Sequence, residues 1–186
     1  MQLNTDTKYE KNGEINKCFI SGTILHIRED RLSIKIQRTG SDEEIICSYK
    51  KGKNKLPLHF NIGDYVVFNG KISQSIIINS PKHHVFQVFS AFKQDSKNES
   101  NNKNSCLITG TIISYKKIDL ELVEAELLHA NKIIKLYFKR NYRYMLYDFE
   151  NKYKDLSVTK VILHGYFKRD GIWVDRINEI SKRTVF

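Results

Sequence analysis

The chain has 186 residues and carries 31 Lys and Arg against 21 Asp and Glu, a formal charge of +10; with 40% hydrophobic residues it can build a core, which excludes a disordered chain. No apolar run approaches the roughly 20 residues that a membrane helix needs, and the polar, mixed-charge stretch from Met1 to Asn16 excludes a secretory leader. Three widely spaced cysteines, Cys18, Cys47 and Cys106, form no CxxC, which argues against a disulfide framework or zinc knuckle and for a reducing cytoplasm.

The first β-rich run is CFISGTIL, Cys18 to Leu25. Leu32, Ile34 and Ile36 then alternate with Ser33, Lys35 and Gln37, the period of two of a half-buried strand. Glu44 to Tyr49 is the third strand, after a turn at 39–42. Leu56 to Phe60, with Pro57, reads as a short connection. Tyr65 to Ile72 follows the turn Asn61-Ile-Gly-Asp64, and Val85 to Phe92 is β-branched and aromatic, so these are the fourth and fifth strands.

Lys93 to Ser105 contains no Ile, Leu, Val or aromatic residue. Such a segment cannot offset its ordering entropy by burial and reads as a linker. Beyond it the pattern repeats: CLITGTII, Cys106 to Ile113, lies 88 residues after CFISGTIL. Leu120 to Leu128 and Ile133 to Arg140 are the next strands. Leu and Glu in 121–126 favour helix, but the repeat argues for a strand there. Met145, Leu146, Phe149 and Tyr153 stand at helical spacing and predict a helix over 142–156. Val158 to Phe167 and Trp173 to Ile177 complete the set around the turn at 168–171, and Lys160 to Phe167 loosely matches Tyr65 to Ile72. The expected organisation is a first domain over 1–92, a flexible linker over 93–105 and a second domain over 106–186.

Five strands with a helical connection after the third is the order of an OB-fold barrel, so the expected class is all-β, two such barrels in tandem with a helix between strands 3 and 4 of the second. Phe19-Ile-Ser-Gly22-Thr-Ile24 and Leu107-Ile-Thr-Gly110-Thr-Ile112 resemble the first strand of bacterial single-stranded-DNA-binding proteins. Asn61 to Ile72, with Gly63 ahead of an apolar run ending in Gly70, resembles the fourth strand of that family. The primosomal replication protein of the same fold is similar to the same degree. The end, Ser181-Lys-Arg-Thr-Val-Phe186, keeps a terminal Phe but is basic where that family has an acidic tail. The resemblance implies single-stranded DNA or RNA as partner, replication or repair proteins as further partners, and a homodimer through barrel edges.

Binding a single strand requires cations for phosphates and flat rings for bases. The richest cluster is KLYFKRNYRY: with Ile134, Leu136 and Phe138 inward, Lys135, Tyr137 and Lys139 share the outer face, followed by Arg140, Tyr142, Arg143 and Tyr144. In the first half, Tyr49, Lys50, Lys51, Lys53 and Lys55 hold the equivalent place, and Lys35 and Arg38 extend it from the second strand. Tyr166, Lys168, Arg169 and Trp173 form another cluster, with Tyr115, Lys116 and Lys117 beyond the first strand of the second half. Against these stands the plain reading that strand aromatics pack and turn lysines are merely solvated.

No GxxxxGK[ST], HExxH or GxSxG occurs, and adjacent His83 and His84 point to opposite faces of a strand. No catalytic residue, metal or other cofactor is expected. The functional expectation is non-enzymatic binding of single-stranded nucleic acid, DNA before RNA, with little sequence preference. A protein adaptor in a replication, conjugation or secretion assembly and a structured-RNA binder are the alternatives.

Overall fold

The computed structural model describes residues 14–28, 31–38, 41–48, 60–74, 84–94, 104–139, 144, 146–148, 151, 160–168 and 170–179. Ten strands run in chain order: β1 Asn16–Ile27, β2 Arg31–Arg38, β3 Ser41–Ser48, β4 Tyr65–Gln74, β5 His84–Lys93, β6 Asn104–Lys117, β7 Leu122–His129, β8 Lys132–Lys139, β9 Lys160–Lys168 and β10 Gly171–Glu179. β5 and β6 take Lys93, Asn104 and Ser105 from the ends of the expected linker, and its 95–103 portion lies outside the described residues.

Pairing closes a ring in each half. In the first, β1 pairs with β2, β2 with β3, β3 with β5, β5 with β4, and β4 with β1. In the second, β6, β7, β8, β10 and β9 follow the same order back to β6. Only β3–β5 and β8–β10 are parallel. The fold is all-β and OB-like, as expected.

The expected strand after β6 is a strand, although its Leu and Glu favour helix. In β7, Val123, Ala125 and Leu127 are buried while the residues between them turn outward, and this period of two has no helical counterpart. β7 and β8 meet at a two-residue turn in which Ala130 and Asn131 have φ of 46° and 61°, the left-handed pair that matches a hairpin's twist. Within the expected helix, Tyr144, 146–148 and Asn151 are helical and Leu146 is buried in the core; the rest of 142–156 lies outside the described residues. Of the short connection at 56–60, only Phe60 is described, edge-on to Phe68.

The halves are joined edge to edge. β1 and β6 pair antiparallel with Cys18 opposite Cys106, Asn16 opposite Ile108 and Ile20 opposite Asn104. Since an offset of 88 carries Asn16 onto Asn104 and Ile20 onto Ile108, this ladder is its own two-fold image about the cysteine pair. The symmetry extends sideways: Cys18 faces Gly70 of β4, and Cys106 faces Gly165 of β9. Asn16 receives the Ile72 N–H and donates to the Ile72 carbonyl, both at 3.0 Å, while Asn104 does the same to Phe167 at 2.8 Å. Each amide thus satisfies a strand whose neighbour has turned away to pair with the other half.

The core is continuous across this seam, with buried Phe86 and Phe167 at a ring-centroid distance of 6.3 Å. Burying each Phe or Ile side chain contributes about 1.5–3 kcal/mol. All three cysteines are buried free thiols, the packing role expected of Cys18 and Cys106. Burial pushes the Cys47 and Cys106 thiols well above the ordinary range, with Cys18 adding to the rise at Cys106.

Candidate nucleic-acid interface

Alternation along β8 buries Ile134, Leu136 and Phe138 and turns Lys135, Tyr137 and Lys139 outward. Parallel pairing sets Trp173 of β10 beside Tyr137, and antiparallel pairing sets Tyr166 of β9 beside Trp173. Three rings therefore stand in a row across three adjacent strands. Tyr137 and Trp173 stack with centroids 5.3 Å apart, and Tyr166 stacks on Trp173 at 6.4 Å with planes only 13° apart. Gly165 permits this: a Cβ there would lie 2.2 Å from the Trp173 carbonyl oxygen.

Two cations complete the cluster. The Lys139 Nζ lies 5.2 Å and the Lys168 Nζ 4.6 Å from the Trp173 ring centroid, within cation–π range. The indole N–H donates to Asp170 Oδ1 at 3.3 Å. Trp173 and Tyr166 remain half-buried, so the row keeps an outward edge.

Carboxylates brace the cations. Glu124 of β7 lies opposite Tyr137 and receives Lys116 at 3.4 Å and Lys135 at 3.5 Å. Burial pushes the Tyr137 hydroxyl up to about 12, aided by the negative charges of Asp170 and Glu124 and by a hydrogen bond to Glu124. Lys168 pairs at 3.0 Å with Glu43, which comes from β3 in the other half.

The structure therefore brings together Lys135, Tyr137, Lys139, Lys168 and Trp173 from the expected set. Tyr137 is only 8% exposed: the plain reading of a packed strand aromatic describes it, with its ring within the stack. Trp173 is packed on both of its neighbours and still reaches solvent. Tyr144 stands 56% exposed on the helical segment after β8 and is not in the row. Tyr115 packs edge-on to Tyr147 at 6.0 Å. Lys35 and Arg38 lie on β2, where Lys35 pairs with Thr23 and Glu44, and Arg38 with Ser41. Tyr49, Lys50, Lys51, Lys53, Lys55, Arg140, Tyr142, Arg143 and Arg169 lie outside the described residues, as does His83.

Sequence reasoning missed the carboxylates Glu43, Glu124 and Asp170. It also missed two lysine–phenylalanine contacts in the first half, Lys17 over Phe19 at 5.4 Å and Lys71 over Phe89 at 5.5 Å. The Glu124–Lys135 pairing had a signal, because aligning the two strands of the hairpin places opposite charges on one face. Glu43 had none, since its contact depends on how the halves pack.

No family model matches the chain, and no curated protein matches it in sequence. Its fold is similar to that of solved structures. The wild-type single-stranded DNA binding protein from Thermus aquaticus superposes with a TM-score of 0.68 at 10% identity, covering 91% of this chain and 94% of that one. A deletion mutant of the same protein gives a TM-score of 0.67 at 11% identity, covering 91% of this chain and 96% of that one. At such identity the likeness is one of fold, and it spans both halves.

Proposed function

We propose that this chain binds single-stranded nucleic acid without catalysis, DNA ahead of RNA, and with little sequence preference. The observation that carries the reading is Trp173, half-exposed beside Tyr166 with the Lys139 and Lys168 ammonium groups within cation–π range of its ring. OB-folds hold oligonucleotides on the face of strands 2 and 3 and on the loops that follow strands 1 and 4. β8 is the third strand of its ring, and Lys168 and Trp173 belong to the fourth and fifth, β9 and β10, which supports a strand-binding role for the cluster. The fold shared with a single-stranded DNA binding protein along 91% of the chain supports the same reading.

The chemistry is sequence-tolerant. Each ammonium that meets a phosphate neutralises one charge, and the bases supply π-faces to the outward edge of the aromatic row. Stacking contributes about 1–3 kcal/mol per base, and each phosphate neutralised adds about −0.7 to the slope of log affinity against log salt. In this reading the chain works as a homodimer, which mass measurements with and without a dT ladder check.

The test is titration of dT and dA oligomers at low and moderate salt, read by the emission of Trp173, the single Trp of the chain. Binding of both oligomers is expected, weakening as salt rises. The Lys139→Ala replacement flattens the salt slope by up to about 0.7. Absence of binding at low salt refutes the reading, and an unaltered slope moves the strand off this face. Phe89 and Phe92, exposed at 42% and 54% on β5, favour a protein-contact reading in the case of no binding.

A further inference from the structure

The ion pair between Lys168 and Glu43 crosses from one half of the chain to the other. Lys168 is the cation nearest the centre of the Trp173 ring, and its Nζ also lies 3.0 Å from Glu43 Oε1. Among the carboxylates described around the aromatic row, Glu124 and Asp170 belong to the second half, and Glu43 alone comes from the first. Both partners are part-sheltered, with side chains 23% and 27% exposed, so this is not a pair of freely waving surface charges.

Packing holds it in place. The Lys135 N–H donates to His84 Nε2 of β5 at 3.1 Å, and the Lys132 ammonium lies 3.5 Å from Ser73 Oγ of β4. Phe86 of β5 meets Phe167 of β9 in the core. β3 pairs with β5 at Cys47 opposite Phe86, so docking β5 on the second half carries Glu43, four residues earlier on β3, to Lys168.

We propose that Glu43 is an internal competitor for the strand-binding surface: its carboxylate holds the place of a phosphate on Lys168, and a bound strand displaces it. The proposal rests on the single-strand reading and adds how that surface is regulated. A carboxylate and a phosphate offer the same anionic oxygens to an ammonium, so they compete for the Lys168 charge, and their mutual repulsion disfavours both there at once. The displaced carboxylate gathers a cation from solution, which opposes the counterion release that normally drives binding. Strand affinity at Lys168 is thereby held down, and engagement of the second half releases the Glu43 carboxylate of the first.

The experiment titrates one dT oligomer into wild type, Glu43→Gln, Lys168→Ala and the double variant over a range of salt, with circular dichroism to establish that each is folded. Glu43→Gln is expected to bind about two- to fivefold more tightly at low salt. Its salt slope is expected to steepen by up to about 0.7. Both gains vanish in the Lys168→Ala background. Unchanged or weaker binding by Glu43→Gln, with wild type binding normally, overturns the competitor and leaves the single-strand reading standing. An equal gain without Lys168 also overturns it, because the effect is then general charge. Failure of all four proteins to bind removes the single-strand reading itself.

Discussion

Gly165→Ala tests the geometry beneath the aromatic row. The added Cβ would sit 2.2 Å from the Trp173 carbonyl oxygen, 3.0 Å from its carbon and 3.1 Å from Ile172 Cγ2. Real Cβ atoms essentially never approach another atom closer than 3.0 Å, so β9 and β10 must part by about 0.8 Å at Trp173. The ladder resists this on both sides, because Val174 pairs with Gly165 and Trp173 with Tyr166. Overpacking of this kind costs about 1–3 kcal/mol. For a chain of this size each kcal/mol lowers Tm by roughly 2–4 °C, so the expected loss is roughly 2–12 °C. Gly70→Ala is the matched control: its Cβ would lie 2.1 Å from the Gln87 carbonyl oxygen, at the symmetry-related place opposite Cys18. Thermal and urea unfolding by circular dichroism should show losses of similar size in both variants, while the emission maximum of Trp173 should shift only in Gly165→Ala. A Gly165→Ala protein whose Tm stays within about 1 °C of wild type, or equal emission shifts in the two variants, would refute the reasoning.

Two further predictions concern the seam and the stack. Asn16→Ala and Asn104→Ala each leave one backbone N–H and one carbonyl without their amide partner, and each should cost about 1–3 kcal/mol in urea unfolding; near-neutral replacements would mean that those groups find water instead. The Tyr137 hydroxyl, raised from the ordinary 10.0 to about 12, holds its proton more tightly folded than unfolded. Its contribution to stability is therefore complete below pH 10 and is lost as pH rises through 12. The difference in tyrosinate absorbance between wild type and Tyr137→Phe should show a midpoint near 12, and a midpoint near 10 would place that hydroxyl in open water.

Much of the architecture was legible because it rests on local periodicity. Alternation marked the outward row Lys135, Tyr137 and Lys139, and the repeat correctly outweighed helix propensity at β7. The repeat even held an unused signal: extended two residues upstream, it aligns Asn16 with Asn104, the two amides that bind the flanking strands. The candidate site was only half legible. Alternation puts Tyr137 on the outer face of β8, but its enclosure comes from Trp173, 36 residues away, which arrives beside it through a parallel pairing that no local pattern records.

Sequence alone determined the all-β class and the alternation along β8, since backbone alternation and apolar spacing act over a few neighbours. Tertiary structure alone decided that the halves meet through β1 and β6, that three rings stack in a row, and that Glu43 reaches Lys168. Those outcomes depend on which distant edges and side chains come within a few ångströms, and ion pairs and ring contacts act only at such range.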